Sequence, residues 1–224
     1  MIQSDEVEVD ELPLREQAYL HIKRLILNEE LPSNIFLSER SLAQQLGMSK
    51  TPVRLALARL ENEGFVRISP QQGIVVLVLS FEEVLEHIDF RLALESFVVK
   101  RLAGCLSSPQ AEVLQEHVQQ QQALVQHPQT STEKLVYADM AFHRQLATTL
   151  GNRQILQALE RQQDMLYRVA HRVYQKHPSR RVQSIAEHQR LLQFLFEGRL
   201  AEALELIEKH ISRIKLLLVS SAMD

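Results

Sequence analysis

In the segment ADMAFH, Asp139 and His143 stand four residues apart, so a carboxylate and an imidazole project the same way from one helical face. The rest of that stripe is apolar: Leu135, Phe142, Leu146 and Leu150. Two later segments repeat the pattern. His188 interrupts the stripe of Ile185, Leu192 and Leu195, and His210 or Ile211 falls on the stripe of Leu200, Leu204, Ile207 and Ile214. Polar groups buried without partners are costly, so each intrusion calls for a reason. Taken singly, each histidine also reads as a core residue with a hydrogen-bond partner. Taken together, one carboxylate and three neutral imidazoles on the inner faces of three helices make a donor set for a divalent ion, zinc first, with nickel or manganese also suited. His127 and His177 precede prolines, and His171 lies off the stripe of Leu159, Leu166, Ala170 and Val173. Solvent is the expected place for these three. Arg168, Arg172, Arg180 and Arg181 make a basic cluster able to attract an anion, and read first as a solvated face.

A metal with open positions also suits an enzyme. However, no HExxH motif supplies a general base, and Glu187 is turned about 100° from its neighbour His188 on a helix. A metal-dependent enzyme is therefore the rival reading, not the first.

The elements that must position these groups begin near residue 80. Beyond it run long amphipathic patterns with few glycines, the mark of an all-helical antiparallel bundle. Before it come short periodic segments, turn formers and a β-branched run. The boundary falls at about Leu79 to Glu82, which gives an acidic arm over 1–13, a first domain over 14–79 and a second over 80–224. In the first, Ala18, Ile22, Leu25 and Ile26 predict a helix over Leu14 to Glu29, Ser38 caps a second, and Ser49 starts a third. On that third helix Val53, Ala56, Leu57 and Leu60 share one face, with Thr51, Arg54 and Ala58 on the other. Two short helices around Gly47-Met48-Ser49 have the layout of a helix-turn-helix, whose second helix presents Lys50, Thr51 and Arg54 to a major groove. FVRISPQQGIVVLVLS adds two strands and a wing, with Gln72 and Gly73 at its tip. The whole is mainly α, with a winged helix-turn-helix leading. A winged helix that only docks proteins, beside a structural metal, is the third reading.

Composition sets the outer limits. The chain has 224 residues, 45% of them hydrophobic, and a net charge of −3, enough for two domains with real cores. Residues 1–13 carry −5, residues 14–79 carry +2, and the remainder is neutral, so the mildly basic part is the part that reads as a nucleic-acid partner. A single cysteine, Cys105, excludes an internal disulfide framework and a thiolate cluster. The start is acidic rather than basic and apolar, and IVVLVL at 74–79 is too short to span a bilayer. A cytoplasmic protein with no membrane partner is expected.

The stretch LSERSLAQQLGMSKTPVRLALARLENEGFVRISPQQG resembles the DNA-binding domain of the GntR superfamily of bacterial regulators. The resemblance implies that Arg40, Ser49, Lys50, Thr51, Pro52, Arg54, Gln72 and Gly73 contact a DNA operator or shape the contact. Three positions depart from the usual pattern. Asn34 replaces a Gly, which a left-handed turn tolerates. Lys50 replaces a frequent Arg, favouring a phosphate over a base. Leu55 replaces a Glu that could clamp the neighbouring arginines. DMAFHRQL, the GN at 151–152 and IAEHQRLLQFLFEGRLAEALELIEKHI are similar to the FCD effector domain of the FadR-like branch. That likeness implies Asp139, His143, His188 and His210 as metal ligands and Arg91 and Asn152 as effector-binding residues, although Arg91 also pairs naturally with Glu95 and Asn152 is suited to capping a helix. It further implies a homodimeric, ligand-responsive transcription regulator, a repressor by family habit, controlled by a small carboxylate.

Overall fold

The structure, a computed structural model, describes residues 11–222, so the acidic arm expected over 1–13 lies for the most part outside the described residues. The chain divides into two compact units that meet at Leu79 and Ser80.

In the first unit, α1 (Leu14–Leu27) buries Ala18, Tyr19, Ile22 and Ile26 against α3 (Lys50–Asn62). It stops two residues short of the expected Glu29, which has φ +59° and cannot continue a right-handed helix. Between them lie β1 (Phe36–Leu37) and α2 (Glu39–Gln45), the latter capped by Ser38 Oγ, which accepts from the Ser41 amide at 3.0 Å. Asn34 takes the left-handed conformation, φ +62°, that its substitution for Gly requires. As the stripe predicts, Val53, Ala56, Leu57 and Leu60 of α3 are buried. β2 (Val66–Ser69) and β3 (Gly73–Val76) form the hairpin, and β1 adds to it in the order β1-β3-β2, all antiparallel.

Gly73 also has a role within the sheet itself. It opens β3 at φ +117°, and a Cβ there would lie 2.5 Å from the Leu37 carbonyl oxygen of β1. The missing side chain thus lets β1 close on the hairpin. Gly73→Ala is expected to destabilise this unit by about 1–3 kcal/mol, read as a lowered melting temperature. An unchanged melting curve would refute that account.

The second unit is entirely helical among the described residues: α4 (Phe81–Leu102), α5 (Ser108–Gln126), α6 (Thr132–Leu150), α7 (Arg153–Glu160), α8 (Gln163–Lys176), α9 (Ser179–Glu197) and α10 (Leu200–Ala222). Ser80 and Glu83 form a reciprocal capping box at the start of α4. α6 contacts α4, α5, α8 and α9, while α10 lies against α4, α8 and α9, so the stripes of α6, α9 and α10 face a common core. On α10 the stripe is displaced from the expected one: Leu200 and Leu204 are not buried, and Ala203, Ile207, His210, Ile211 and Ile214 are. No described helix is long and apolar enough to cross a membrane.

Candidate functional site

The four ligand-type side chains come together. Asp139 and His143 from α6, His188 from α9 and His210 from α10 are all at least nine-tenths buried, and one donor atom from each lies within 4.8 Å of every other. Nε2 of His143 is 3.1 Å from Nε2 of His210 and 3.2 Å from Nε2 of His188. The Asp139 carboxylate lies 3.8 Å from the first of these rings and 3.7 Å from that of His188.

What turns three Nε2 atoms inward is the grip on the other nitrogen of each ring. His143 Nδ1–H donates to Glu95 Oε2 at 2.5 Å. His188 Nδ1–H donates to Gln121 Oε1 at 2.8 Å, and the Gln121 amide nitrogen is itself spent on the Ala138 carbonyl at 2.9 Å, which fixes its oxygen toward the ring. His210 Nδ1–H donates to Glu187 Oε2 at 2.6 Å. Phe142 stacks on the His188 ring at 4.1 Å between centroids. A carboxylate or amide oxygen can only accept, so the proton of each neutral imidazole belongs on Nδ1 and each Nε2 carries a lone pair; Arg180 Nη2 also comes within 3.0 Å of His210 Nδ1, but it can donate to the His210 carbonyl at 3.2 Å instead, and Glu187 is the nearer partner of that nitrogen. Three lone pairs that converge at about 3 Å repel unless a cation lies among them. The donor set therefore fits a divalent ion, and the grip on each Nδ1 is the kind of outer support that metal-bound histidines require.

Charge points the same way. Arg91 Nε donates to Glu95 Oε1 at 2.5 Å, and Arg180 Nη1 to Glu187 Oε2 at 2.6 Å, so these two pairs cancel and Asp139 is left as the net negative charge. Burial alone would raise the Asp139 carboxyl, but it is held well below the usual range by the His188, His143 and His210 rings where they carry a proton, and by the Arg91 guanidinium; Tyr174 and Ser184 hydroxyls also donate to it, at 2.8 and 2.6 Å. Glu95 behaves likewise: burial raises it, yet the Arg91 guanidinium and then His143 bring it down to about 2. Burial pushes His188 well below its ordinary value and His210 down to about 4, so both rings are neutral near pH 7, the form that binds metal.

Several of these partners escape a reading of stripes. Glu95 matches an i to i+4 pair with Arg91, and that pair forms, but its second oxygen holds His143. Glu187 does not turn away from the group: from α9 it reaches behind the His210 ring. Arg180 and Arg168 are buried, not a solvated face, and His171 is buried and stacked on Tyr167 at 5.6 Å. His127 is exposed and His177 half-buried. Arg91 and Glu95 share the inner stripe of α4 with Val84, Ile88 and Val98, and two opposite charges on an apolar stripe were the available signal.

Arg91 stands within electrostatic reach of Asp139. Asn152 does not join this group: it is exposed at the start of α7, where its side-chain oxygen accepts from the Gln154 and Ile155 amides. Beside Asp139 lies a hollow of about 10 Å³, lined by Gln121, Leu135, Tyr174, Arg181 and Ile185, room for about one water.

At the start of α3, Ser49, Lys50, Thr51 and Arg54 are exposed, as are Arg40 on α2 and Gln72 in the turn before β3; Pro52 is buried. Gln71, beside Gln72, has φ +68°. The clamp that Leu55 cannot provide comes from elsewhere: Glu39 at the start of α2 accepts from Arg54 Nη2 at 3.1 Å and from its Nε at 3.2 Å.

A winged helix with an exposed basic reading helix, followed by an all-helical unit with a buried carboxylate and imidazole group, defines a class: transcription regulators built from a DNA-reading and a sensing domain. Residues 14–76 match the family of bacterial regulatory proteins named gntR, and residues 86–213 match the FCD domain. The chain belongs to the GntR regulators that carry an FCD domain. It is 39% identical, over 43% of its own length and 57% of the other's, to an uncharacterized HTH-type transcriptional regulator from the TAR-I ttuE-ttuC' intergenic region of Agrobacterium vitis. It is 28% identical to the HTH-type transcriptional repressor RspR of Escherichia coli, over 64% of this chain and 61% of that one. In fold it is similar to E. coli McbR/YncC, with a TM-score of 0.70 at 21% identity over 94% and 99% of the two chains. The two relatives matched in sequence are named as a transcriptional regulator and a transcriptional repressor.

Proposed function

We propose that this chain is a ligand-responsive bacterial transcription regulator that acts in the cytoplasm as a homodimer on a two-fold symmetric operator. Asp139, His143, His188 and His210 would hold one divalent ion, zinc first, as the anchor for a small carboxylate. The observation that carries this reading is the set of three imidazoles, each gripped at Nδ1 and turned toward one carboxylate. A dication there leaves a local charge of about +1 with neutral histidines, and Arg91 lies close by, so an anionic ligand is favoured. Bound there, the ion supplies open coordination positions, and the protein supplies orientation and charge.

The hollow beside Asp139 is too small for a carboxylate, so entry must displace the Tyr174 hydroxyl or the Arg181 guanidinium. Arg181 of α9 donates to the Tyr174 carbonyl of α8 at 2.7 Å and to Thr132 Oγ1 of α6 at 3.1 Å. A ligand that moves either side chain therefore works on the packing of three helices at once, which gives it the means to favour one conformation over another. The test is calorimetric titration of the metal-loaded chain with small carboxylic acids, alongside operator binding with and without them. Binding of no carboxylate by a fully loaded protein would remove the effector from the proposal.

On the reading unit, Ser49, Lys50, Thr51, Arg54, Arg40 and Gln72 would meet DNA, with Pro52 and Gly73 shaping the backbone. Arg54→Ala is expected to relax base preference, at a cost of about 1–3 kcal/mol on the operator. Lys50→Ala should weaken all sequences alike and flatten the salt dependence by about one charge. Titrations on a duplex selected from a random pool, and on an unselected one, separate the two. Equal affinity of the unaltered protein for both duplexes would count against sequence-specific binding altogether.

A further inference from the structure

Among the side chains that begin α3 and reach solvent, one stands out because it can neither donate nor accept a hydrogen bond. Leu55 is 54% exposed, and it is the only large apolar side chain exposed on that helix. At about 100° per residue it falls within roughly 60° of Thr51 and Ala58, which are exposed too, so a leucine and two methyl groups share the middle of the outward face. A lone exposed leucine needs no reason on an ordinary surface. This one lies in the first two turns of the reading helix, directly after Arg54.

Charge and size narrow what can cover this patch. Arg54 and then Lys50 lie along one flank, both exposed, while Arg59 on the opposite flank is taken up by Glu16 and Glu63. Glu39 accepts from Nε and Nη2 of Arg54 at 3.2 and 3.1 Å, which holds that side chain toward α2 and leaves Nη1 and one Nη2 hydrogen for a guanine. Three small apolar groups are far less than the roughly 800 Å² a side that a stable protein partner covers. A polyanion suits the flank. Along the base edges of a major groove the only methyl group is the 5-methyl of thymine. The N4 amine that cytosine presents there would lose its water against a leucine and gain no acceptor, so the same side chain rewards thymine and penalises cytosine.

From these features we infer that Leu55 is a specificity-determining residue, whose side chain packs on the 5-methyl group of a thymine beside the guanine gripped by Arg54. The inference rests on the DNA reading proposed above and adds a reader and the base it selects. Each half of the operator then carries one thymine that is recognised by its methyl group and not by a hydrogen bond.

The test uses the full-length chain and a duplex selected from a random pool. Each thymine is exchanged singly for deoxyuridine, which keeps every hydrogen-bonding group and removes only the methyl. At one thymine in each half-site the exchange should weaken binding about fourfold, and about fifteenfold when both half-sites carry it, as for one and two buried methyl groups. Leu55→Ala should bind the thymine and uracil duplexes alike, while its preference for the guanine, its affinity for an unselected duplex and its melting temperature stay where they were. Leu55→Met, still apolar and long, should keep the sensitivity to the methyl. Thr51→Ser, which removes the neighbouring methyl of the patch, should keep it as well. Uracil sensitivity that survives Leu55→Ala would overturn the assignment, and its loss in Thr51→Ser would pass the role to that residue. A cost below about 1.5-fold at every thymine would overturn it too, since no methyl would then be read. Either result leaves the DNA reading standing, which falls only if the unaltered chain cannot tell the selected duplex from an unselected one.

Discussion

Replacing His188 and His210 by Ala is expected to abolish metal binding and effector response together, while DNA binding without effector changes less. The basis is the tautomer imposed on each ring. Glu95, Gln121 and Glu187 take the Nδ1 protons, which leaves the three Nε2 lone pairs facing one another as donors for a shared cation. Two of the four donors disappear in the double variant, and Asp139 with His143 alone make a poor site. Elemental analysis gives the direct reading. A second reading comes from stability: an ion present at about a hundredfold over its dissociation constant stabilises the folded state by about 2.7 kcal/mol. A chelator should therefore lower the melting temperature of the unaltered protein by several degrees and leave that of the double variant where it is. Full metal occupancy in the double variant would show that the ion is held elsewhere.

The second large effect is expected at Glu95. Its carboxylate lies between the Arg91 guanidinium and the His143 ring, all three buried. Glu95→Ala leaves a guanidinium in the core without its counter-ion, at a cost of about 3–5 kcal/mol in urea unfolding. It also frees His143 to rotate, so metal affinity should fall about 10–100-fold. The two roles can be separated. In the Arg91→Met, Glu95→Leu chain both charges are gone, and most of the stability should return while the metal affinity stays low. If the double replacement restored metal binding as well, Glu95 would be only a counter-ion and not the holder of His143.

Where a helix has one buried face, its sequence was legible. Asp139, His143, His188 and His210 stood out because each breaks an apolar stripe on a helix whose other side is wet. α8 shows where that logic ends. Met165 to His171, Val173 and Tyr174 are all buried, so the helix has no polar face against which His171 or Arg168 could look out of place. Glu187 was misjudged for a different reason: a helical wheel gives the direction of Cβ, while a glutamate on α9 can bend round to a ring on α10. The two-residue β1 is too short to alternate, and its carbonyl at Leu37, together with a φ of +117°, explains why residue 73 is Gly. Leu55 in place of Glu suggested a loosely aimed Arg54, but the carboxylate that meets it comes from Glu39, fifteen residues away.

His210 belongs to α10, whereas the unit with the reading helix is complete at Leu79. At about 5–20 residues per second, a ribosome needs on the order of ten seconds to make the segment between them. Throughout that interval a nascent chain has a finished reader and no finished sensor. Such a chain is also single, and one reader covers only half of a two-fold site. On the proposed architecture, the demand for a pair is therefore what keeps half-made chains from occupying an operator before anything can tell them to leave.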